Sequence, residues 1–388
     1  MNTMLRVSTT IILFISLTQS VLAESCRDYL PPPETSYGYS LGGGHYHAIA
    51  SRGSYAYACI KDSDPNPKIV CYGLGPNISQ APTIQDWLTL PATASRIVLV
   101  NDHAILALGY SGLGVVDIST PNQLPSLSLT ATTDVCKDAA LLGTTHLVTA
   151  EWSALRVYGL QDPTAPVEIA AATLSQARSV AVAGDLAFVA CGSLGLAIVD
   201  VSNPVMPSLV IQFPVGGFVD QVAVEGDRVY LTGYLVGLVT VDVTTPSSPS
   251  VVGTLPLTGE AEAIVIRGGY AYLSVGEAIE MSPGSPYFDG MALVRLNNPG
   301  SPMMVDYYFP TQNYSAIGLG DDRVLLGEFE AVSHLNMAPL QCPEVSDVPG
   351  PIPTDLSLSD PWPNPFNPRV SVRFDLPEGR PGRLVVHD

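Results

Sequence analysis

The chain has 388 residues, with 17 Lys+Arg against 36 Asp+Glu, a formal net charge of −19 and only 14% charged residues. So acidic a chain is a poor partner for a nucleic-acid phosphate backbone, and 46% hydrophobic content excludes disorder as its main state. Gly and Pro, 34 of each, punctuate stretches of Val, Leu, Ile, Thr and Tyr, which predicts many short strands joined by turns.

Residues 1–23 read as a secretory signal. Arg6 supplies the positive charge, residues 7–22 are mostly apolar, and Val21-Leu22-Ala23 offers a small-residue cleavage site before Glu24. Cys26 stands two residues too late for a lipoprotein signal. No later stretch reaches about 18 uninterrupted apolar residues, so no transmembrane span is expected in the mature chain.

From there the sequence repeats itself. Gly195-Leu-Ala-Ile-Val-Asp-Val-Ser-Asn-Pro204 returns as Gly237-Leu-Val-Thr-Val-Asp-Val-Thr-Thr-Pro246 and Gly112-Leu-Gly-Val-Val-Asp-Ile-Ser-Thr-Pro121. Weaker copies end at Pro163 and Pro299, and the most decayed at Pro76 and Pro339. The intervals between these prolines are 45, 42, 41, 42, 53 and 40 residues. In the fourth copy, residues 179–183, 186–191, 196–201 and 208–213 read as four strands, the first two joined by a Gly184-Asp185 turn. A four-stranded unit of about 40–45 residues, repeated, is a propeller blade. The expected fold is therefore an all-β, seven-bladed β-propeller. An N-terminal strand at 37–41 is expected to complete the seventh blade and cover its edge.

The Leu-x-Ile-Val-Asp-Val-Ser-x-Pro core resembles the LVIVD repeat of bacterial and archaeal exported surface proteins, held to be β-propellers. The resemblance runs from about Tyr37 to Pro339 and implies no catalytic residues. The copies at Pro76, Pro163 and Pro339 lack the aspartate, and the copy at Pro299 has Arg295 in its place. Further on, Trp362-Pro-Asn-Pro-Phe-Asn-Pro368, followed by Val370-Ser-Val-Arg-Phe-Asp-Leu-Pro377, is similar to the opening of a type IX secretion sorting domain of Ig-like type. Such a sandwich needs most of about 100 residues, so this one is expected to be incomplete. The domain plan is a signal at 1–23, a propeller at 24–344, a Pro-rich linker at 345–360 and the truncated tail at 361–388.

Six cysteines in an exported chain invite three disulfides, and 15 pairings exist. The repeat register narrows them. Cys59 and Cys71 straddle the hairpin centred on Pro65, Cys26 and Cys342 flank the closing blade, and Cys136 with Cys191 remain, in adjacent units. Free buried thiols are the alternative.

Motifs for chemistry are sparse. Cys191-Gly-Ser-Leu-Gly195 and Gly109-Tyr-Ser-Gly-Leu113 each miss the nucleophile elbow by a residue. His45 and His47 share one side of a strand, as half a metal site or as two surface histidines. Asp62, Asp64 and Asn66 open like a calcium loop, but Pro67 stands where the EF-hand glycine belongs; an acidic hairpin turn is the other reading. Calcium is the only cofactor in view.

One repeat position carries charge. At the start of the innermost strand the seven units hold His47, Arg96, Lys137, Arg178, Asp220, Glu262 and Ser315. This ring shares a face with the Asp62 loop and an insertion at 275–290. It is either a mouth for an acidic ligand or a set of inter-blade ion pairs such as Arg178 with Asp220. The expected protein is a monomeric, secreted or surface-displayed bacterial propeller that binds a protein or glycan without catalysis. The alternative is an exported hydrolase or lyase with Glu262 and His47 as its only starting pair.

Overall fold

The computed structural model describes residues 44–62, 66–76, 80–257, 259–278, 290–308, 314–321, 323–328 and 331–336, with the short pairs 362–363 and 370–371. The first blade comprises β1 (Gly44–Arg52), β2 (Tyr55–Asp62), β3 (Lys68–Gly73) and β4 (Thr83–Thr89). The second is β5 (Arg96–Val100), β6 (His103–Ala107), β7 (Leu113–Asp117) and β8 (Leu127–Thr130); the third is β9 (Cys136–Leu142), β10 (His146–Glu151), β11 (Ala154–Gly159) and β12 (Val167–Thr173). The fourth is β13 (Ser179–Ala183), β14 (Leu186–Ala190), β15 (Leu196–Asp200) and β16 (Ser208–Phe213). The fifth is β17 (Gln221–Glu225), β18 (Arg228–Gly233), β19 (Gly237–Asp242) and β20 (Ser250–Leu255). The sixth is β21 (Gly259–Arg267), β22 (Tyr270–Ala278), β23 (Gly290–Arg295) and β24 (Met303–Tyr308). Each is an antiparallel meander in chain order.

The structure shows six such blades, not the seven expected. The remaining sheet, β25 (Tyr314–Leu319), β26 (Arg323–Glu328) and β27 (Ala331–Asn336), has three strands. Among the described residues no fourth strand follows Asn336, and the closing strand expected at 37–41 lies outside them. The three-stranded sheet sits between the sixth blade and the first, with β25 against both β21 and β1. Ser51 Oγ donates to the Leu319 carbonyl at 3.0 Å and Arg323 Nη1 to that of Gly75 at 3.1 Å. Gly327 is required there: a Cβ would stand 2.3 Å from Tyr46 Cβ.

The repeat motif forms the third strand, and its near-continuous apolar run follows from its place. β15 and β19 are buried along almost their whole length because neighbouring blades cover both faces. The outer strand β12, at the edge of its sheet, stays mostly exposed, with only Ala172 buried. Between third and fourth strands the register slips by one residue at equivalent places, Val157/Tyr158, Ile198/Val199 and Thr240/Val241, a recurring bulge that bends the outer strand. The core lies between blades. Val148, Leu155 and Val157 of the third pack against Val180, Val189 and Val199 of the fourth, with Ala150, Ala187 and Ala197 allowing close approach. Each fully buried Val or Leu side chain contributes roughly 1.5–3 kcal/mol.

The motif aspartate has a local task. Asp117, Asp200 and Asp242 each accept the backbone N–H two residues on, from Ser119 (2.8 Å), Ser202 (2.9 Å) and Thr244 (2.9 Å). These Asx turns swing the chain out of the third strand toward the proline, and the hydrogen bonds hold all three carboxyls below their ordinary pKa.

Two of the expected disulfides are corrected. Cys59, Cys71, Cys136 and Cys191 are free and buried. Cys59 is paired with Ile69, and Cys71 with Tyr57, so the two cysteines are diagonal rather than opposed; diagonal partners lie roughly 7–8 Å apart, too far for a bridge. The Cys71 thiol instead lies 2.9 Å from the Pro121 carbonyl. Cys136 belongs to the core between blades two and three, Cys191 to that between three and four. The Cys26–Cys342 pair lies outside the described residues.

Residues 1–29 and 339–388 form a separate unit from 30–338. Within it only a two-residue pairing, Trp362–Pro363 with Val370–Ser371, is described. The signal at 1–23, the linker and the remainder of the sorting-like tail lie outside the described residues. No helix among the described residues is long and apolar enough to cross a membrane.

Candidate functional site

The charged ring is at the start of the innermost strands, as expected, and two of its three cations are paired across blades. Arg96 of β5 grips Asp138 of β9 through both its Nε and its Nη2, the latter 2.9 Å from Oδ2. Asp138 is buried, and its carboxylate also accepts Ser179 Oγ (2.7 Å) and the Val180 N–H (2.9 Å), both on β13. Its charge holds the Arg96 guanidinium above the ordinary arginine pKa. Ser179 Oγ in turn accepts the Val222 N–H at 3.3 Å, so one polar chain runs from blade two to blade five. Arg178 of blade four pairs through Nε with Asp220 of blade five, and its guanidinium lies 5.8 Å from the Trp152 ring centre and 5.0 Å from that of Phe218.

Lys137 stands between these pairs and differs from them. Its carbonyl accepts Ser95 Oγ at 2.5 Å, while its half-buried side chain has no ion pair among the described residues. The Ser315 side chain lies outside the described residues.

His47, Arg96 and Glu262 line one narrow cleft of about 420 Å³, counting its open mouth, together with Ser95, Gln221 and the β25 residues Ala316 and Ile317. This is the axial space between the first, second, fifth, sixth and three-stranded sheets. Lys137, Arg178 and Asp220 are not part of it. Burial in the cleft, aided by the charges of His45 and Lys61, holds the His47 pKa below the ordinary histidine value. Glu262 lies over Gly276, where a Cβ would meet its Oε1 at 2.8 Å.

Asp138, Ser179 and Gln221 were not among the residues expected here. They occupy the position one residue after the ring, where consecutive repeats read Asp138, Ser179 and Gln221 between apolar neighbours such as Ile97 and Ala263. Three adjacent polar residues in an apolar column were the available signal. Glu151 was missed as well. It is fully buried and accepts Thr149 Oγ1 (2.9 Å), Tyr158 Oη (2.7 Å) and the Asp134 N–H (3.2 Å), with Arg156 Nε 2.9 Å away.

The calcium-like loop falls largely outside the described residues: nothing is described of Asp64 or of the Asp62 side chain, and Asn66 is exposed. Among the described residues no group of three His, Cys, Asp or Glu side chains is placed to hold a metal ion. Of the insertion at 275–290, only its two ends, on β22 and β23, are described.

The family model for the LVIVD repeat matches residues 91–133, 175–214, 216–255 and 258–278. These segments contain the two closest copies of the motif and its Gly112 variant, and they fall in blades two, four, five and six. No curated protein matches the chain in sequence. Among solved structures, a chain of the mitotic checkpoint complex superposes with a TM-score of 0.56 at 8% identity, covering 75% of this chain and 89% of that one. The computationally designed Ika8 protein gives 0.52 at 7% identity, covering 77% of this chain and 100% of that one. At such identities the likeness concerns the fold alone. The chain carries LVIVD repeats folded as an all-β propeller of four-stranded blades.

Proposed function

We propose that this propeller is a secreted or cell-surface binding protein that engages a protein or glycan partner without catalysis. The observation that carries the reading is the use made of its buried carboxylates. Asp138 receives two guanidinium donors, a hydroxyl and a backbone N–H, and Glu151 receives two hydroxyls and a backbone N–H beside Arg156. With their lone pairs filled by fixed donors, Asp138 holds neighbouring blades together and Glu151 ties the strands of the third blade, and neither is placed to take a proton from a substrate. Export rests on residues 1–23 and the sorting-like tail; protein N-terminal sequencing of the secreted fraction would find Glu24 first.

A second reading, an exported hydrolase or lyase, draws on one finding. His47 and Glu262, two units apart around the ring, line the same cleft. Arrays of glycans and peptides probed with the full chain separate the two. The binding reading expects saturable capture that survives Glu262→Gln. Turnover of a chromogenic glycoside or a uronide polymer, abolished by Glu262→Gln, would establish the enzyme instead.

A further inference from the structure

The loops joining second to third strands present a row of exposed apolar side chains, in Tyr110, Trp152 and Leu235 at the same repeat position and in Leu194 and Tyr234 one residue to either side of it. They are Tyr110 in blade two (93% exposed), Trp152 in blade three (42%), Leu194 in blade four (39%), and Tyr234 with Leu235 in blade five (49% and 69%). Successive blades place them side by side on the face that also carries the charged ring. Scattered exposed hydrophobics need no explanation, but one at the same loop tip of four consecutive blades marks an interaction surface.

The tips are braced. Gly109 exchanges both backbone hydrogen bonds with Cys136 at 3.1 Å, the Trp152 carbonyl accepts the Ala177 N–H at 3.1 Å, and the Gly192 carbonyl accepts the Val219 N–H at 3.1 Å. The tips of blades two, three and four are thus tied to the strand or connection of the next blade. Leu235 has φ 61°, a left-handed conformation costly for a leucine, and holds its side chain outward all the same. Rigid apolar anchors lose little freedom on binding.

We propose that this crown docks an extended segment of a partner protein, which seats apolar side chains between the tips and brings a carboxylate to Lys137. The proposal rests on the reading of the chain as a binding propeller and names its partner. A sugar ring stacks on Tyr or Trp but gains little from a leucine, and Leu194 and Leu235 stand exposed among the aromatic tips. Lys137 supplies the charge complement, since Arg96 and Arg178 are already neutralised by Asp138 and Asp220.

The test is selection of a displayed library of peptides of about 12 residues on the full chain, with synthetic copies of the winners titrated afterwards. The expected winners combine apolar residues with an Asp or Glu. Their binding falls at least ten-fold in Trp152→Ala and in Leu235→Asn, both of which keep the circular dichroism and cooperative melt of the parent chain. Lys137→Gln weakens acidic winners but not their Asp→Asn or Glu→Gln counterparts. The proposal is overturned if no peptide is enriched, or if the winners bind Tyr110→Ser, Trp152→Ala and Leu235→Asn as tightly as the parent. Glycan capture lost in those variants would overturn it in favour of a sugar. Glycan capture indifferent to them would remove the crown and leave the binding reading standing.

Discussion

Arg96 and Asp138 lie one repeat apart, 42 residues, and the guanidinium of one blade closes on the carboxylate of the next with Nη2 2.9 Å from Oδ2. The same carboxylate accepts Ser179 Oγ of the blade beyond. One buried anion therefore joins three blades, which gives an order to the ring that apolar packing alone would leave loose.

Removing that anion should be costly. Asp138→Asn leaves the Arg96 charge uncompensated, and removing one partner of a buried pair typically costs about 3–5 kcal/mol; Arg96 is 33% exposed, so a loss near the lower end is expected. Urea unfolding at pH 7 measures it. The double variant Arg96→Gln/Asp138→Asn should lose clearly less than the sum of its two single variants, by about 1–3 kcal/mol. Strict additivity would mean the pair contributes no coupling.

The motif aspartates predict a response to acid. Hydrogen bonds lower the carboxyl pKa of Asp117, Asp200 and Asp242 in the folded chain. Their stabilisation is therefore full above the ordinary aspartate pKa of about 3.9 and is lost as pH falls through the lower, folded values. The melting temperature should decline across that window. In Asp117→Asn/Asp200→Asn/Asp242→Asn, where the amide oxygen keeps the turn but cannot titrate, the decline should be shallower.

The thiols should be inert in the native state. Burial raises all four described cysteines, Cys71 to about 12 and Cys191 to about 11, and thiolate is the reactive form. At pH 8, iodoacetamide should leave Cys59, Cys71, Cys136 and Cys191 unmodified until urea unfolds the chain. A peptide map with a Cys59–Cys71 crosslink would contradict the register.

Leu235 offers a trade between stability and binding. Its left-handed backbone should be relieved in Leu235→Gly, which is expected to raise stability by about 1 kcal/mol. If the crown is the docking surface, the same variant binds worse. A variant both less stable and unimpaired in binding would show that the strain is absent and the side chain idle.

The strands were the most legible part of the sequence. β13 and β16 have the bounds expected from alternation and turn residues, because a repeated unit averages out local noise and the third strand's apolar run has one explanation. The blade count was less legible, since the last copies are decayed and the residues expected to complete the final sheet lie outside those described. The cysteine pairing failed on a two-residue offset: Cys59 meets Ile69 and Cys71 meets Tyr57. Hairpin register depends on loop geometry that spacing alone does not carry. The ring was visible as a charge pattern, but Asp138 was not, because its role comes from donors 41 and 42 residues away on two other blades. The crown was overlooked because each of its members, taken singly, is an unremarkable exposed residue.

Non-catalytic binding is tested most directly by the fate of the bound partner. A glycan or peptide captured by the full chain would be held at saturation for hours, eluted and weighed by mass spectrometry. The account predicts that it is recovered with its mass unchanged, and that its capture is the same in His47→Gln/Glu262→Gln. A shortened or unsaturated product that disappears in that variant would contradict the account and place an enzyme in the cleft.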